Sequence, residues 1–256
     1  MFDAIFLDCD GVVTDKRARV DSKVMFEAYR LAHSGKKVAF VTGRSVEWLA
    51  RSILPQIDRF NPTPAEKARF FFVAECGNRW LSFSGAGFAR GSDDSSSVPW
   101  DVRAEIKGEA KQFGYLFFDE TKESLVSLEI RHDKLVSPSA EREAQQQLDD
   151  AREHFASRYP QFIVVKTLYA VDVMGKGVGK ASAARRALEL MGSVSEAIAI
   201  GDSEIDLEMG GELARNGVRF KFYYVGETPP PKQPFEVKRT EGKYAEGTLE
   251  VLRDIR

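Results

Sequence analysis

Short apolar runs that end in polar or glycine-containing turns alternate, along the first third of the chain, with stretches whose apolar residues recur every three or four positions. Ala4, Ile5, Phe6 and Leu7 form the first run, followed by Asp8, Cys9, Asp10 and Gly11. A run of this length, so bounded, predicts a buried parallel strand. Asp21 or Ser22 can then cap a helix reaching about Ser34, with Val24, Ala28, Leu31 and Ala32 on one face and Gly35 as its stop. Lys37 to Thr42 predicts a second strand with Gly43, Arg44 and Ser45 as its exit loop; Ser45 caps a helix carrying Val46, Leu49, Ala50 and Ile53 as far as Pro55. Residues 70 to 74 give a third strand, ending in Glu75, Cys76, Gly77 and Asn78. His33, beside Ser34 and two lysines, is expected to be a solvated surface group.

The pattern then changes. Residues 82 to 97 are rich in Gly and Ser and read as an exposed loop or irregular hairpin at a module boundary. Beyond them the pattern predicts a helix near 101 to 113, a hairpin from Tyr115 to Arg131, a long polar helix near 139 to 158, and strands at 161 to 167 and 169 to 173. That order suggests a separate small α+β layer. The chain returns through residues 175 to 180 (GKGVGK) into a helix with Ala184, Ala187, Leu188 and Met191 on one face, then a buried strand from Glu196 to Gly201. Asp202 to Asp206 follow at its end. A last strand at 219 to 225, a Pro-rich loop at 229 to 234 and a closing helix at 245 to 255 complete the reading. The expected fold class is therefore α/β: a doubly wound, Rossmann-like parallel sheet formed by residues 1–80 and 176–256, with an inserted α+β cap at 81–175.

Composition narrows the function. The 256 residues are 43% apolar and 30% charged, with a formal charge of −2, so no net field draws nucleic acid to the chain. The beginning of the sequence carries no secretory pattern, and its apolar runs are too short to span a bilayer, which makes the cytoplasm the expected compartment and a membrane an unexpected partner. A monomer or homodimer is expected. Cys9 and Cys76 do not make a disulfide framework and read as small buried thiols.

The chemistry concentrates at the strand ends. By chance, 39 acidic residues in 256 would give about six acidic pairs at two-residue spacing, so Asp8 and Asp10 matter through their position. They emerge where the first strand ends, and ligands in open α/β sheets bind at such carboxyl ends. Strand alternation would place both on one side, and Gly11 would let the backbone turn and bring its amide close to whatever they hold. GKGVGK is not a phosphate-binding Walker loop: only three residues separate Gly175 from Gly179, and Ala181 follows Lys180.

The DCDGVVTD string from Asp8, the strand-terminal Thr42, Lys180 at a helix start and GDSEID from Gly201 to Asp206 together resemble, in order, the four motifs of the haloacid-dehalogenase-like phosphohydrolases. The resemblance covers the core, and the position of the insertion is similar to the type II cap of sugar-phosphate and phosphoglycolate phosphatases. It implies a Mg²⁺-dependent phosphatase acting on a small phosphorylated metabolite through an aspartyl-phosphate. Asp8 would be the nucleophile and Asp10 the general acid and base. Asp8, the Asp10 main-chain carbonyl and Asp202 would hold Mg²⁺, supported by Asp206. Thr42 and nearby groups, with Gly11, Gly43 and Arg44, would hold phosphoryl oxygens, and Lys180 would neutralise the nucleophile and phosphate. Relatives with this cap often carry Asn where this chain has Ile205 and Cys76, so two polar groups near the site are missing.

Alternatives are a phosphomutase of the same superfamily and a non-enzymatic phospho-acceptor receiver domain, which would place its nucleophile on a later strand and need no cap. Dehalogenase chemistry would leave Asp10 without an alkoxide to protonate. Substrate choice is expected to lie in the cap, closing on pliable crossings after Asn78 and at Gly175, Gly177 and Gly179, with Lys122, Arg131 and Lys166 as candidates for an anionic substrate group.

Overall fold

A computed structural model of the chain describes residues 2–15 and 19–255. In chain order its elements begin with β1 (Ala4–Asp8), α1 (Ser22–His33), β2 (Lys37–Val41), α2 (Val46–Ser52), α3 (Leu54–Asp58), α4 (Pro64–Lys67), β3 (Phe70–Ala74), β4 (Arg79–Phe83) and β5 (Phe88–Ser92). Next come α5 (Trp100–Glu109), β6 (Leu116–Phe118), β7 (Val126–Ile130), α6 (Pro138–Arg158), β8 (Ile163–Lys166) and β9 (Ala170–Met174). The chain ends with α7 (Lys180–Met191), β10 (Glu196–Gly201), α8 (Leu207–Arg215), β11 (Arg219–Tyr224), β12 (Val237–Arg239) and α9 (Ala245–Asp254). Two compact units result: Met1–Ser92 with Gly179–Arg256, and Asp93–Val178.

The first unit is built on an eight-stranded sheet of order β12-β11-β10-β1-β2-β3-β4-β5. Its strands are parallel from β12 to β3, and β4 and β5 add an antiparallel hairpin. Both faces are covered. Odd-numbered residues of β1, Ile5 and Leu7, pack with the apolar faces of α1, α2 and α9, whereas Ala4 and Phe6 pack with α7 and α8. This is the doubly wound arrangement that the apolar strand runs require, since strands buried on both faces have no polar alternation. From β1 the chain winds outward to β2 on one side and later to β10 on the other, so the switch in strand order falls at β1.

Residues 79 to 92 form a hairpin on this sheet, so of the two readings of the Gly/Ser-rich stretch, loop or hairpin, the hairpin holds as far as Ser92. Leu81 is buried against Phe72, and a tight turn at Ser84–Gly87 closes the hairpin, so a Gly/Ser-rich stretch hides two edge strands. The second unit holds a four-stranded antiparallel sheet of order β6-β7-β9-β8, with α5 and α6 packed on one face through Ile106, Ala144, Leu148, Ala151 and Phe155. No helix among the described residues is long and apolar enough to cross a membrane.

Candidate active site

Strand parity places the first carboxylate. Asp8 follows Ala4 and Phe6 on the face covered by α7 and α8, and at 5% exposure it is buried there. Lys180, the first residue of α7, reaches the same point: its Nζ pairs with Asp8 Oδ1, lies 2.8 Å from Asp206 Oδ1, and donates to the Val41 carbonyl at 3.3 Å. Asp206 immediately precedes α8 and is fully buried. Its other oxygen accepts from the amides of Asp202 (3.1 Å) and Ser203 (3.0 Å) and from the Ser203 hydroxyl (2.7 Å), so it folds the loop after β10 around itself. Carboxylate oxygens of Asp8, Asp202 and Asp206 all lie within 4.8 Å of one another.

Electrostatics divides the three carboxyls. Burial raises the Asp8 carboxyl well above its ordinary range, and Asp206, Asp202 and Asp10 add to that, outweighing Lys180. Burial and then Asp206 push Asp202 up to about 8. Asp206 moves the other way: burial opposes ionisation, but Lys180 and the Ser203 donors hold it below the usual carboxylate value. Lys180 is raised well above an ordinary lysine, because Asp206 and Asp8 overcome its burial. The ammonium and Asp206 thus form the ionised pair, and Asp8 and Asp202 are left in a place that favours positive charge.

Asp10 is placed by a turn and not by the pleat. Because β1 ends at Asp8, the expectation that alternation aligns the two side chains does not apply. Both Asp10 oxygens accept from Arg44, Nε at 2.9 and 3.0 Å and Nη2 at 2.7 Å, while the guanidinium lies 4.7 Å from the centre of the Trp48 ring. Arg44, expected to meet phosphate, is occupied by Asp10 in this conformation. Gly11 has φ +72, and a Cβ there would stand 2.2 Å from Asp202 Oδ2. Its amide donates to Thr14 Oγ1 at 3.3 Å.

Thr42 is buried just past β2, and its hydroxyl accepts from the Arg44 amide at 3.1 Å. Gly43 lies between them, in the exit loop. The turn after β3 latches onto this loop: the Glu75 amide donates to Arg44 O at 2.9 Å and the Cys76 amide to Thr42 O at 3.1 Å. Both residues hold left-handed backbone, φ 45 and 55, which side-chain-bearing residues adopt at a cost of about 1–3 kcal/mol each when the surroundings enforce it. Ser182, on α7, donates to the Cys76 carbonyl at 2.8 Å, tying the same turn to the helix that carries Lys180. Ile205 is 37% exposed and contributes no polar group. Ser203, Trp48 and Ser182 were not singled out in the sequence; only Trp48, four residues after Arg44, had a readable signal, its helical spacing.

A family model described as haloacid dehalogenase-like hydrolase matches residues 72–216, more than half of the chain. The chain belongs to the haloacid dehalogenase-like hydrolases. The matched stretch contains Lys180, Asp202 and Asp206, whereas Asp8, Asp10 and Thr42 precede it. Solved structures share the fold. A haloacid dehalogenase-like hydrolase from Bacteroides thetaiotaomicron is similar over 100% of both chains, at 15% identity and a TM-score of 0.69. A Thermoplasma acidophilum protein aligns over 99% of this chain and 98% of its own, at 19% identity and 0.67. The C-terminal domain of C. albicans trehalose-6-phosphate phosphatase aligns over 98% of this chain and 90% of its own, at 15% identity and 0.66. No curated protein sequence matches the chain.

Proposed function

We propose that this hydrolase is a Mg²⁺-dependent phosphatase of a small phosphorylated metabolite. The reading rests on one observation above all: two buried carboxylates, Asp8 and Asp206, share a single buried ammonium where the strand order switches, with a carboxylate oxygen of the half-buried Asp202 within 4.8 Å of both. With Asp10 and Arg44 included, four carboxylates face two cations, a formal surplus of negative charge that would repel an anionic substrate. A hard divalent cation fits the site, because the donors are all oxygen and three carboxylates stand within 4.8 Å of one another, with burial and then Asp206 pushing Asp202 up to about 8. Asp8, the Asp10 carbonyl and Asp202 would hold Mg²⁺, and Asp206, spent on Lys180 and on the loop amides, would orient them. When bound, the ion would offset charge on the phosphoryl oxygens.

The remaining chemistry belongs to the chain. An Asp8 oxygen attacks phosphorus, the bond from phosphorus to the alcohol oxygen breaks, and Asp10 supplies the proton that oxygen needs. Asp10 then takes a proton from the water that cleaves the aspartyl-phosphate, freeing phosphate and restoring Asp8. For that work Asp10 must turn off Arg44, whose guanidinium then becomes available to a phosphoryl oxygen. Lys180 keeps the attacking carboxylate from being repelled, and Thr42 with the Gly43 amide receives phosphoryl oxygens. A panel of phosphorylated metabolites incubated with and without Mg²⁺ tests the reading. Release of phosphate that depends on Mg²⁺ and is lost in Asp8→Asn is expected; no release from any ester with Mg²⁺ present overturns it.

A further inference from the structure

The cations expected to receive an anionic group of the substrate are engaged within the second unit, Lys122 by Asp172 and Glu129, Arg131 by the Leu116 carbonyl and Lys166 by Asp149. In the first unit, a residue not singled out in the sequence stands against the turns that carry the carboxylates. Tyr244 directly precedes α9, and its ring Cδ1 lies 3.1 Å from the point that a Cβ on Gly11 would occupy; Asp202 Oδ2 lies 2.2 Å from the same point. Ring and carboxylate share the space that the missing Gly11 side chain leaves.

Tyr244 holds this place in a backbone conformation that opposes it. Its φ of 55 is paired with a ψ of −138, whereas Cys76, at φ 55 and ψ 29, sits in the ordinary left-handed well. The Tyr244 combination is nearly reserved for glycine, because a Cβ there crowds the neighbouring peptides. Both ends of the residue are pinned: its amide donates to the Val225 carbonyl at 2.8 Å, and its carbonyl accepts from the Thr248 amide at 2.9 Å. The Val225 amide donates in turn to the Gly201 carbonyl at 2.9 Å, so two hydrogen bonds tie Tyr244 to the residue before Asp202. Asp202 is fixed as well. Asp206 holds its amide at 3.1 Å, and its carbonyl oxygen lies against Gly226, 2.0 Å from where a Cβ would stand. With both main chains in register, the side-chain torsions of Asp202 decide where its carboxylate points.

If the loop needed only its path, glycine would supply it without strain. Backbone strain of this kind persists where the side chain it presents has a use. We propose that Tyr244 is a positioning residue, whose ring closes one side of the Asp202 carboxylate and holds it at a single setting. On the divalent-cation reading given above, on which the functional part of this assignment rests, that setting is the one that meets Mg²⁺.

Three substitutions in the full chain separate strain from function. Tyr244→Ala and Tyr244→Gly both remove the ring, but only glycine also relieves the backbone; Tyr244→Phe keeps the ring. Tyr244→Gly should melt about 2–8 °C above Tyr244→Ala, the reverse of the order at an ordinary position. Isothermal titration calorimetry with Mg²⁺ alone reads the site without turnover. Both ring-less variants should bind about 10- to 100-fold more weakly, despite their different stabilities, while Tyr244→Phe stays within about threefold of wild type. A merely structural role predicts instead that affinity follows melting temperature. Unchanged affinity in both ring-less variants, or an equal loss in Tyr244→Phe, would overturn the inference. A metal-free readout keeps the two readings apart: without Mg²⁺, the effect of Asp202→Asn on melting should differ by at least about 2 °C between wild type and Tyr244→Gly. Additive effects overturn the inference. A protein that binds no Mg²⁺ yet shows this coupling keeps Tyr244 as the positioning residue and removes the divalent-cation reading.

Discussion

Gly11→Ala probes whether the turn after β1 is shaped around Asp202. The backbone there has φ +72, where an L side chain costs about 1–2 kcal/mol. The new Cβ would also lie 2.2 Å from Asp202 Oδ2 and 2.6 Å from its Cγ, whereas ordinary contact begins at 3.4 Å. The main chain of Asp202 cannot follow, because its amide is held by Asp206 at 3.1 Å directly after β10. The carboxylate must therefore swing by about 1.2 Å, and leaving its rotamer adds about 0.5–1.5 kcal/mol. A displacement of that size at a reacting site costs about 100-fold in rate. Gly85→Ala is the comparison: φ is +83, but no atom lies within 4 Å of the added Cβ, so only the backbone cost remains. Thermal unfolding and Mg²⁺-dependent phosphate release read the two effects apart. Both variants should lose about 2–4 °C in Tm for each kcal/mol, and Gly11→Ala alone should lose activity. If Gly11→Ala keeps activity within about twofold and is no less stable than Gly85→Ala, Asp202 is not placed by this turn.

Other substitutions address single links. Asp8→Asn should end turnover while the protein melts as a folded chain, since the amide fills the same volume and cannot attack phosphorus; substantial phosphate release by the pure variant would remove Asp8 from the nucleophile role. Lys180→Met leaves Asp8 and Asp206 buried without their shared ammonium and should cost about 3–5 kcal/mol in urea unfolding. A loss under about 1 kcal/mol would mean that the pair does not hold α7 and α8 to the sheet. Away from the site, the His33 hydrogen bond and then Thr63 lower Glu66 to about 2. A depressed carboxylate adds stability above its unfolded value, about 4.3, and loses it as pH falls toward 2, so wild type and Glu66→Gln should differ at pH 6 and converge in acid. Parallel stability curves from pH 6 to 2 would refute that assignment.

Much of the fold was legible because its strands are buried on both sides. Ala4 to Leu7, Phe70 to Ala74 and Ala197 to Ile200 are unbroken apolar runs, and a sheet covered on both faces satisfies them. β4, β5 and β12 escaped for the opposite reason. As edge or near-edge strands they carry polar and glycine residues, and the Gly/Ser content of residues 82 to 97 reads equally as exposed loop or irregular hairpin. α8 gives a weak signal because its nine residues include the adjacent Gly210 and Gly211, poor helix formers, although Leu207, Met209 and Leu213 are buried there. His33 shows the limit of local reading: its partner Glu66 is 33 positions away, on α4, and only the fold brings them within 2.5 Å.

The same limit governs the site. Its place at the end of the first strand marked Asp8 as a candidate, whereas Lys180, Asp202 and Asp206 were candidates through motifs that resemble those of the family. What the sequence does not contain is who answers whom. Lys180 stands 172 positions from Asp8, and its attachment to Asp206 as well follows from α7 and α8 both covering the even face of β1. Arg44 reads as a free cation until its pairing with Asp10 is seen, and Lys122 until Glu129 and Asp172 are seen beside it. In each case the error lies in counting a charge without its partner. A cation held by a carboxylate selects ligands by what remains of the pair, and that remainder differs at the two places: at Arg44 one guanidinium meets one carboxylate that can turn away, while at Lys122 two carboxylates meet one ammonium. Turning one carboxylate away frees the positive charge of the first pair, whereas the second keeps its ammonium beside a carboxylate whichever of the two moves.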